Sequence, residues 1–103
     1  MTEIFNQLIY EYQKGMRDLV LYTCGSEYMQ ALESLFKKHK ISYKIRTLDC
    51  GKKMNVFFGN PDCLEILEGF SSEDLSELTK EEDFILGIML GYSRKEQYRR
   101  YLS

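Results

Sequence analysis

The residues of this chain with the most reactive side chains are its three cysteines, Cys24, Cys50 and Cys63. Cys24 follows the apolar run Leu19–Tyr22 and precedes residues with helical periodicity, so the sequence predicts a thiol in the turn before a helix. The dipole of that helix would lower the pKa of the thiol. Cys24 is therefore the candidate for a catalytic or redox residue.

Two features of the sequence argue against thiol chemistry at Cys24. No second cysteine lies near it, and no proline precedes the third predicted strand to form the cis turn found beside the thiol in thioredoxin-like folds. Cys63 lies beside Asp62 and Glu65, which raise the pKa of a thiol. We favour the alternative in which Cys24 fills a small, half-buried space. We therefore expect no enzyme activity, no cofactor and no metal ion, since the cysteine spacings match no common zinc site.

Charged residues form blocks along the chain, although the formal net charge is only −2. Such blocks steer oppositely charged partners, or they are simply solvated faces. The tyrosines and arginines near the C-terminus resemble a stacking and phosphate surface, but the negative net charge disfavours nucleic acid. The candidates for contact with an acidic protein are the central basic residues Lys37, Lys38, Lys44, Arg46, Lys52 and Lys53.

The apolar periodicity predicts the element order α-β-α-β-β-α-α-α. Leu19–Tyr22 fits a strand buried on both faces, and the apolar spacing is helical from Tyr28 to Phe36. Ser42–Leu48 alternates, so we expect its Lys44 and Arg46 to face water. Met54–Gly59 is again apolar on both faces.

The N-terminal segment fits two structures. Its apolar residues between Ile4 and Tyr12 have helical spacing, and Gly15 would end such a helix. The same residues could instead alternate as a strand that forms a hairpin with Leu19–Tyr22. We favour the helix.

Local signals predict three helices after the last strand. Asn60 and Pro61 are typical of a helix start, and Thr79–Glu82 and Ser93–Glu96 both read as capping boxes. Between the two boxes lies an unusually apolar helix in which Gly87 and Gly91 stand four residues apart. That spacing predicts close packing on one side of the helix.

Together these elements predict an α/β (α+β) fold in a single domain, residues 1–103, with a ferredoxin-like split βαβ core. The three-stranded sheet should have the order 1-3-2, with additional N-terminal and C-terminal helices. We expect the helix after strand one and the helix after strand three to share one face. The most apolar helix would then be partly exposed, which favours a homodimer. Its interface candidates are Phe84, Leu86, Gly87, Met89, Leu90 and Gly91.

The sequence also bears on location. No apolar run approaches the ~20 residues that a membrane-spanning helix needs. The N-terminal residues lack the basic segment and apolar core of a secretion signal. We therefore expect a cytoplasmic protein with reduced thiols and no membrane contact.

Five segments carry a resemblance to a known family: Ile9–Arg17, Leu19–Thr23, Asn55–Gly59, Glu81–Tyr92 and Arg99–Tyr101. In these the chain resembles a small bacterial family catalogued as domain of unknown function two thousand and twenty-three. The resemblance implies three strands, five helices and a homodimer, and it favours the helical N-terminus. It implies no activity and no catalytic residue. It does point to a flavodoxin as an acidic partner, since such proteins are often encoded beside one.

Overall fold

The computed structural model describes residues 2–103, which form five α-helices and three β-strands. The strands are β1 (Leu19–Gly25), β2 (Ser42–Leu48) and β3 (Lys53–Gly59). The helices are α1 (Thr2–Gln13), α2 (Met29–His39), α3 (Pro61–Glu68), α4 (Lys80–Met89) and α5 (Arg94–Leu102). The N-terminal segment is thus the helix that we favoured, not the hairpin strand.

The sheet has the predicted order β1-β3-β2, and both neighbouring pairs are antiparallel. The most apolar strand, β3, is therefore central. Each row across the sheet joins three residues: Leu21, Phe57 and Lys44 form one row, and Thr23, Asn55 and Arg46 form the next on the same face. Since β1 and β2 both run antiparallel to β3, they are parallel to each other, as a split βαβ unit requires.

One face of the sheet, here called the α1–α2 face, is covered by the first two helices. Phe58 of β3 packs against Phe5 of α1 and Phe36 of α2, with the Phe36 and Phe58 ring centroids 4.9 Å apart. The buried residues of this face are Phe5, Ile9, Val20, Cys24, Leu32, Phe36, Ile41, Met54, Val56 and Phe58.

The opposite face, here called the α3–α4 face, is covered by α3 and α4. Its buried residues are Leu19, Phe57, Cys63, Leu64, Leu67, Leu86, Met89 and Leu90. The expectation that α2 and α3 share a face is therefore wrong. Because β3 is apolar on both sides, each face needs its own helical layer, and a single chain supplies both layers.

The helix ends follow the local signals with one exception. The Asn60 side chain accepts a hydrogen bond from the Asp62 backbone N–H at 2.8 Å, and the box of Thr79 and Glu82 forms in both directions. Ser93 is the N-cap of α5, but its side chain makes no capping hydrogen bond, so the second predicted box is absent.

Gly87 and Gly91 are each required for a different structural reason. Gly91 has φ +79° and follows the last turn of the helix. The Tyr92 N–H donates to the Gly87 carbonyl at 3.0 Å, which forms a Schellman motif. A Cβ on Gly91 would meet no atom within 4 Å. A Cβ on Gly87 would overlap the carboxamide of Gln97 on α5. Close packing is therefore present at Gly87, although against the Gln97 side chain and not against the backbone that the glycine spacing predicts, and it is absent at Gly91.

Candidate interaction surface

Cys24 lies inside β1, opposite Met54 of β3, and not in a turn. The sequence placed the end of this strand too early, because Thr23 and Cys24 are less apolar than the residues before them. A 3-10 turn at Ser26–Tyr28 separates the strand from α2, so the helix N-terminus is not beside the thiol. Burial raises the pKa of the Cys24 thiol, and the Glu27 carboxylate raises it further.

The other two thiols differ in exposure. Burial raises the pKa of Cys63, and the carboxylates of Asp18 and Asp62 add to the effect. Cys50 is exposed in the loop between β2 and β3. Neither buried thiol is in the electropositive, accessible setting that activates cysteine nucleophiles.

Residues 2–103 also bear on metal binding and on membrane insertion. No three histidine, cysteine or carboxylate side chains there lie close enough together to hold a metal ion. None of the helices in that range is long and apolar enough to cross a membrane.

The six basic candidates do not form one surface. Lys37 and Lys38 are exposed at the end of α2, near the start of β2, whereas Lys52 and Lys53 lie beyond its other end. The 7 residues of β2 lie between the two pairs. At ~3.3 Å per residue this is a distance of roughly 20 Å. The two pairs therefore lie at opposite ends of the sheet.

Lys44 and Arg46 belong to a third location, the α3–α4 face. Lys44 forms an ion pair with Glu68 of α3, and the Arg46 side chain is only 9% exposed. The Arg46 guanidinium lies over the Phe57 ring, 5.6 Å from its centroid. The expectation that these side chains face water is wrong, because α3 and the segment after it cover this side of β2.

The predicted dimer interface on α4 is mostly internal. Leu86, Met89 and Leu90 are buried in the core of the α3–α4 face, and Gly87 is buried against Gln97. The helix uses its most continuous apolar stripe to cover the sheet. Of the six candidates, only Phe84 and Gly91 lie outside this buried set, and the interface prediction is corrected accordingly.

The outward side of α4 forms an apolar groove with α5. Its volume is about 580 Å³, and it is lined by Glu81, Phe84, Ile85, Tyr98, Tyr101 and Leu102. We call this the α4–α5 groove. Leu102 is 81% exposed, Ile85, Tyr98 and Tyr101 are exposed by about two-fifths to one-half, and Phe84 is partly buried. Helical spacing of Tyr98, Tyr101 and Leu102 in the sequence indicated an apolar stripe on α5, but not that α4 would complete it.

Contacts between α4 and α5 fix the shape of the α4–α5 groove. An Arg100 Nη2 hydrogen donates to Asp83 Oδ1 at 2.7 Å, and Lys80 Nζ donates to the Ser103 carbonyl at 2.8 Å. Phe84 packs on the Tyr101 ring with centroids 5.5 Å apart. These contacts join the start of α4 to the end of α5, so the two helices are antiparallel.

The fold thus defines an α+β domain with a three-stranded antiparallel sheet between two helical layers. The family model for a protein of unknown function (DUF2023) matches residues 3–103. Because that match spans nearly the whole chain, the chain belongs to this family. No curated protein matches the sequence.

Proposed function

We propose that this protein acts by binding, without catalysis, and that it forms a homodimer through the α4–α5 groove. The observation that supports the proposal is the exposed apolar lining of the groove. Side chains such as Ile85, Tyr98 and Leu102 gain free energy when a partner removes them from water. Contiguous apolar surface of this kind marks interaction sites on soluble proteins.

The charges around the groove support a second copy as the occupant. Glu81 lies at the start of α4, and Arg94 and Lys95 lie at the start of α5. Because the helices are antiparallel, acid and base stand at opposite ends of one surface. A two-fold axis through the groove would bring Glu81 of each copy close to Lys95 of the other, so the surface is self-complementary.

The buried thiols favour binding over redox catalysis. A redox function would require Cys24 as thiolate, and both burial and Glu27 oppose ionisation of that side chain. All three cysteines are free, which fits a reducing compartment such as the cytoplasm. We therefore place the single-thiol function behind the binding function.

Light scattering during gel filtration tests the homodimer at micromolar concentration. The parent chain should elute with twice the 12.2 kDa monomer mass. Ile85→Glu should shift the mass to the monomer, because a buried carboxylate would have no partner in the interface. Ile66→Glu is the matched control, since Ile66 is similarly exposed on α3, away from the groove. A monomeric parent would defeat the proposal.

Reversal of the charges at Glu81 and Lys95 tests the two-fold orientation of the proposed dimer. Glu81→Lys and Lys95→Glu should each weaken the dimer through like-charge contacts, and the double variant should restore it. If the parent is a dimer but the double variant is weaker than both single variants, the orientation is wrong and the dimer itself stands.

A second candidate function is contact with an acidic electron carrier such as a flavodoxin. It is supported by the exposed basic group at the end of α2, residues Lys37, Lys38 and Lys40. Titration with a flavodoxin at increasing salt tests it, because binding by exposed charges weakens with ionic strength. Salt-independent binding, or binding unaffected by Lys37→Glu with Lys38→Glu, would count against this surface.

A further inference from the structure

The free edge of β1 presents backbone groups without partners. Hydrogen bonds join Ser26 N to Lys52 O at 3.0 Å and Asn60 N to Asp18 O at 2.8 Å, at the two ends of the β1–β3 pair. Bonded and non-bonded pairs alternate along an antiparallel ladder. The N–H and C=O groups of Leu19, Leu21 and Thr23 therefore point away from β3, but Leu19 has no exposed surface, so only those of Leu21 and Thr23 are accessible. No other hydrogen bond to them is formed within the described part of the chain.

The two edges of the sheet differ in protection. Edge strands commonly carry charged side chains, prolines or bulges that prevent pairing with another strand. The β2 edge carries Lys44 and Arg46, whereas β1 has the sequence LVLYTCG with no charged residue or proline. Thr23 is exposed, and Leu21 and Tyr22 are partly exposed. The β1 edge is therefore the one that is open to a further strand.

Two cavities adjoin along this edge. The first, of about 350 Å³, lies between the end of α1 and the end of α4, and its lining includes Met16 and Arg17. The second, of about 210 Å³, lies over Leu21 of β1, and its lining combines four further leucines with Asp83, Gly87, Tyr92, Gln97 and Arg100. Leu90 and Tyr92 line both cavities. Together with the strand they form a groove, here called the β1 groove.

The charges of the β1 groove are paired within the chain. Arg17 Nε lies 2.7 Å from Glu11 Oε1 in the first cavity, and Arg100 Nη2 lies 2.7 Å from Asp83 Oδ1 in the second. No net charge is left to compensate an ionised side chain of the occupant, which would lose its hydration. The electrostatics of the groove therefore match an uncharged occupant.

One polar group in the second cavity lacks a partner. Gln97 is 2% exposed, and its Oε1 atom is buried without a hydrogen bond in the described residues. A buried acceptor without a donor costs about 1–3 kcal/mol. Because this atom lies against Gly87 and has no surface open to the cavity, an occupant of the cavity does not reach it.

We propose that an uncharged, extended peptide segment of a partner protein adds to the free edge of β1 as a fourth strand. Its backbone bonds to the outward groups of Leu21 and Thr23, as in other cases of strand addition. A side chain the size of leucine or tyrosine enters the 210 Å³ cavity. This site is separate from the α4–α5 groove and does not depend on the homodimer.

Hydrogen exchange of the parent chain tests the proposal directly. The probe is a capped seven-residue peptide in which threonine alternates with leucine and tyrosine. Exchange of the Leu21 and Thr23 amides should slow roughly tenfold at a peptide concentration ten times the Kd. A peptide in which lysine and glutamate replace leucine and tyrosine should give no protection. Unchanged exchange with the uncharged peptide at millimolar concentration would overturn the proposal.

Proline substitution tests the backbone contact. Thr23→Pro removes an outward N–H and the side-chain hydroxyl but no N–H of the β1–β3 ladder, so the ladder should survive while peptide binding is lost. Thr23→Val keeps the N–H but removes the hydroxyl that donates to Asn55, and it should retain binding. Thr47→Pro on the other edge strand controls for the effect of proline itself. Full binding by a folded Thr23→Pro variant would overturn the proposal.

The same exchange data separate the partner peptide from a second copy of this chain. If Leu21 and Thr23 become protected without peptide as protein concentration rises, the β1 edge is occupied by another copy. That result would also overturn the proposal. Protection that depends on peptide alone supports it.

Discussion

The α1–α2 face and the α3–α4 face of the sheet bury residues of different kinds. On the α1–α2 face, Phe5, Phe36 and Phe58 have no exposed surface and contact one another. On the α3–α4 face, the side chains of Arg46 and Gln97 lie almost fully covered beside the apolar residues, and two cavities open next to them. A face that retains unpaired polar groups and open space is less optimised for stability, which is typical of regions that serve binding.

The largest expected effect concerns the aromatic cluster. Phe58→Ala should lower the free energy of unfolding by about 3–5 kcal/mol, because the vacated space lies among rings that cannot close it. Phe57→Ala, at the adjacent and equally buried position on the α3–α4 face, should have a smaller effect since that face already contains cavities. Urea denaturation followed by circular dichroism measures both. Equal losses would remove the distinction between the faces.

The next effect concerns the joint between α4 and α5. Gly87→Ala should destabilise the chain by about 1 kcal/mol, since its Cβ displaces the flexible end of the buried Gln97 side chain, although alanine is the better helix former by about 1 kcal/mol. Adding Gln97→Ala should recover most of the loss, because it removes the overlapping carboxamide. Thermal unfolding gives the comparison. A Gly87→Ala variant more stable than the parent would show that this joint is loose.

A smaller change is expected at Arg46. Its Nε and Nη1 atoms are buried without a hydrogen bond, and Glu73 Oε1 is 3.9 Å away, too far for one. Arg46→Met keeps most of the packing on Phe57 and removes the buried charge, so stability should change by less than about 1 kcal/mol or rise. Arg46→Ala, which loses the packing too, is the control. A methionine variant destabilised by about 3 kcal/mol or more would show that the charge is required.

The smallest effect is a pH dependence. Hydrogen bonds from Thr79 and Ser71 lower the pKa of Glu82, which joins α4 to the segment before it. Ionised Glu82 therefore stabilises the folded state at pH values above the ordinary glutamate pKa of about 4.3. This stabilisation is lost as pH falls through the lowered value of the folded state. Glu82→Gln should make the free energy of unfolding less dependent on pH in this acidic range. Glu65→Gln on α3 is the control for the loss of a negative charge. Parallel profiles for parent and Glu82→Gln would contradict the assignment.

Local patterns were sufficient to predict much of the fold. The alternation in Ser42–Leu48 gave β2, and the apolar run of β3 placed it at the centre of the sheet. Asn60 and Thr79 marked helix starts, because capping depends on residues within one turn. The strand order and helix count followed from these elements.

The interaction surfaces were less predictable, because they depend on which side of each element is covered. Nothing near Arg46 in the sequence shows that Phe57 and Glu73 will surround it. The six basic candidates are close in sequence but lie in three places. The reason is that β2 runs along the full length of the sheet between the first pair and the last pair. Leu86 and Ile85 are chemically alike and adjacent, yet only the packing of α4 decides which one faces the groove.

The position of α5 also has a consequence for cooperativity. α4 is the main packing partner of α5, so α5 should detach in a sub-global opening that leaves the sheet and both of its cores intact. Its amides should exchange at a lower opening free energy than those of β3. Because α5 forms one wall of the α4–α5 groove, occupation of the groove adds directly to that opening free energy. Helix docking and partner binding at this end of the molecule are thus linked equilibria.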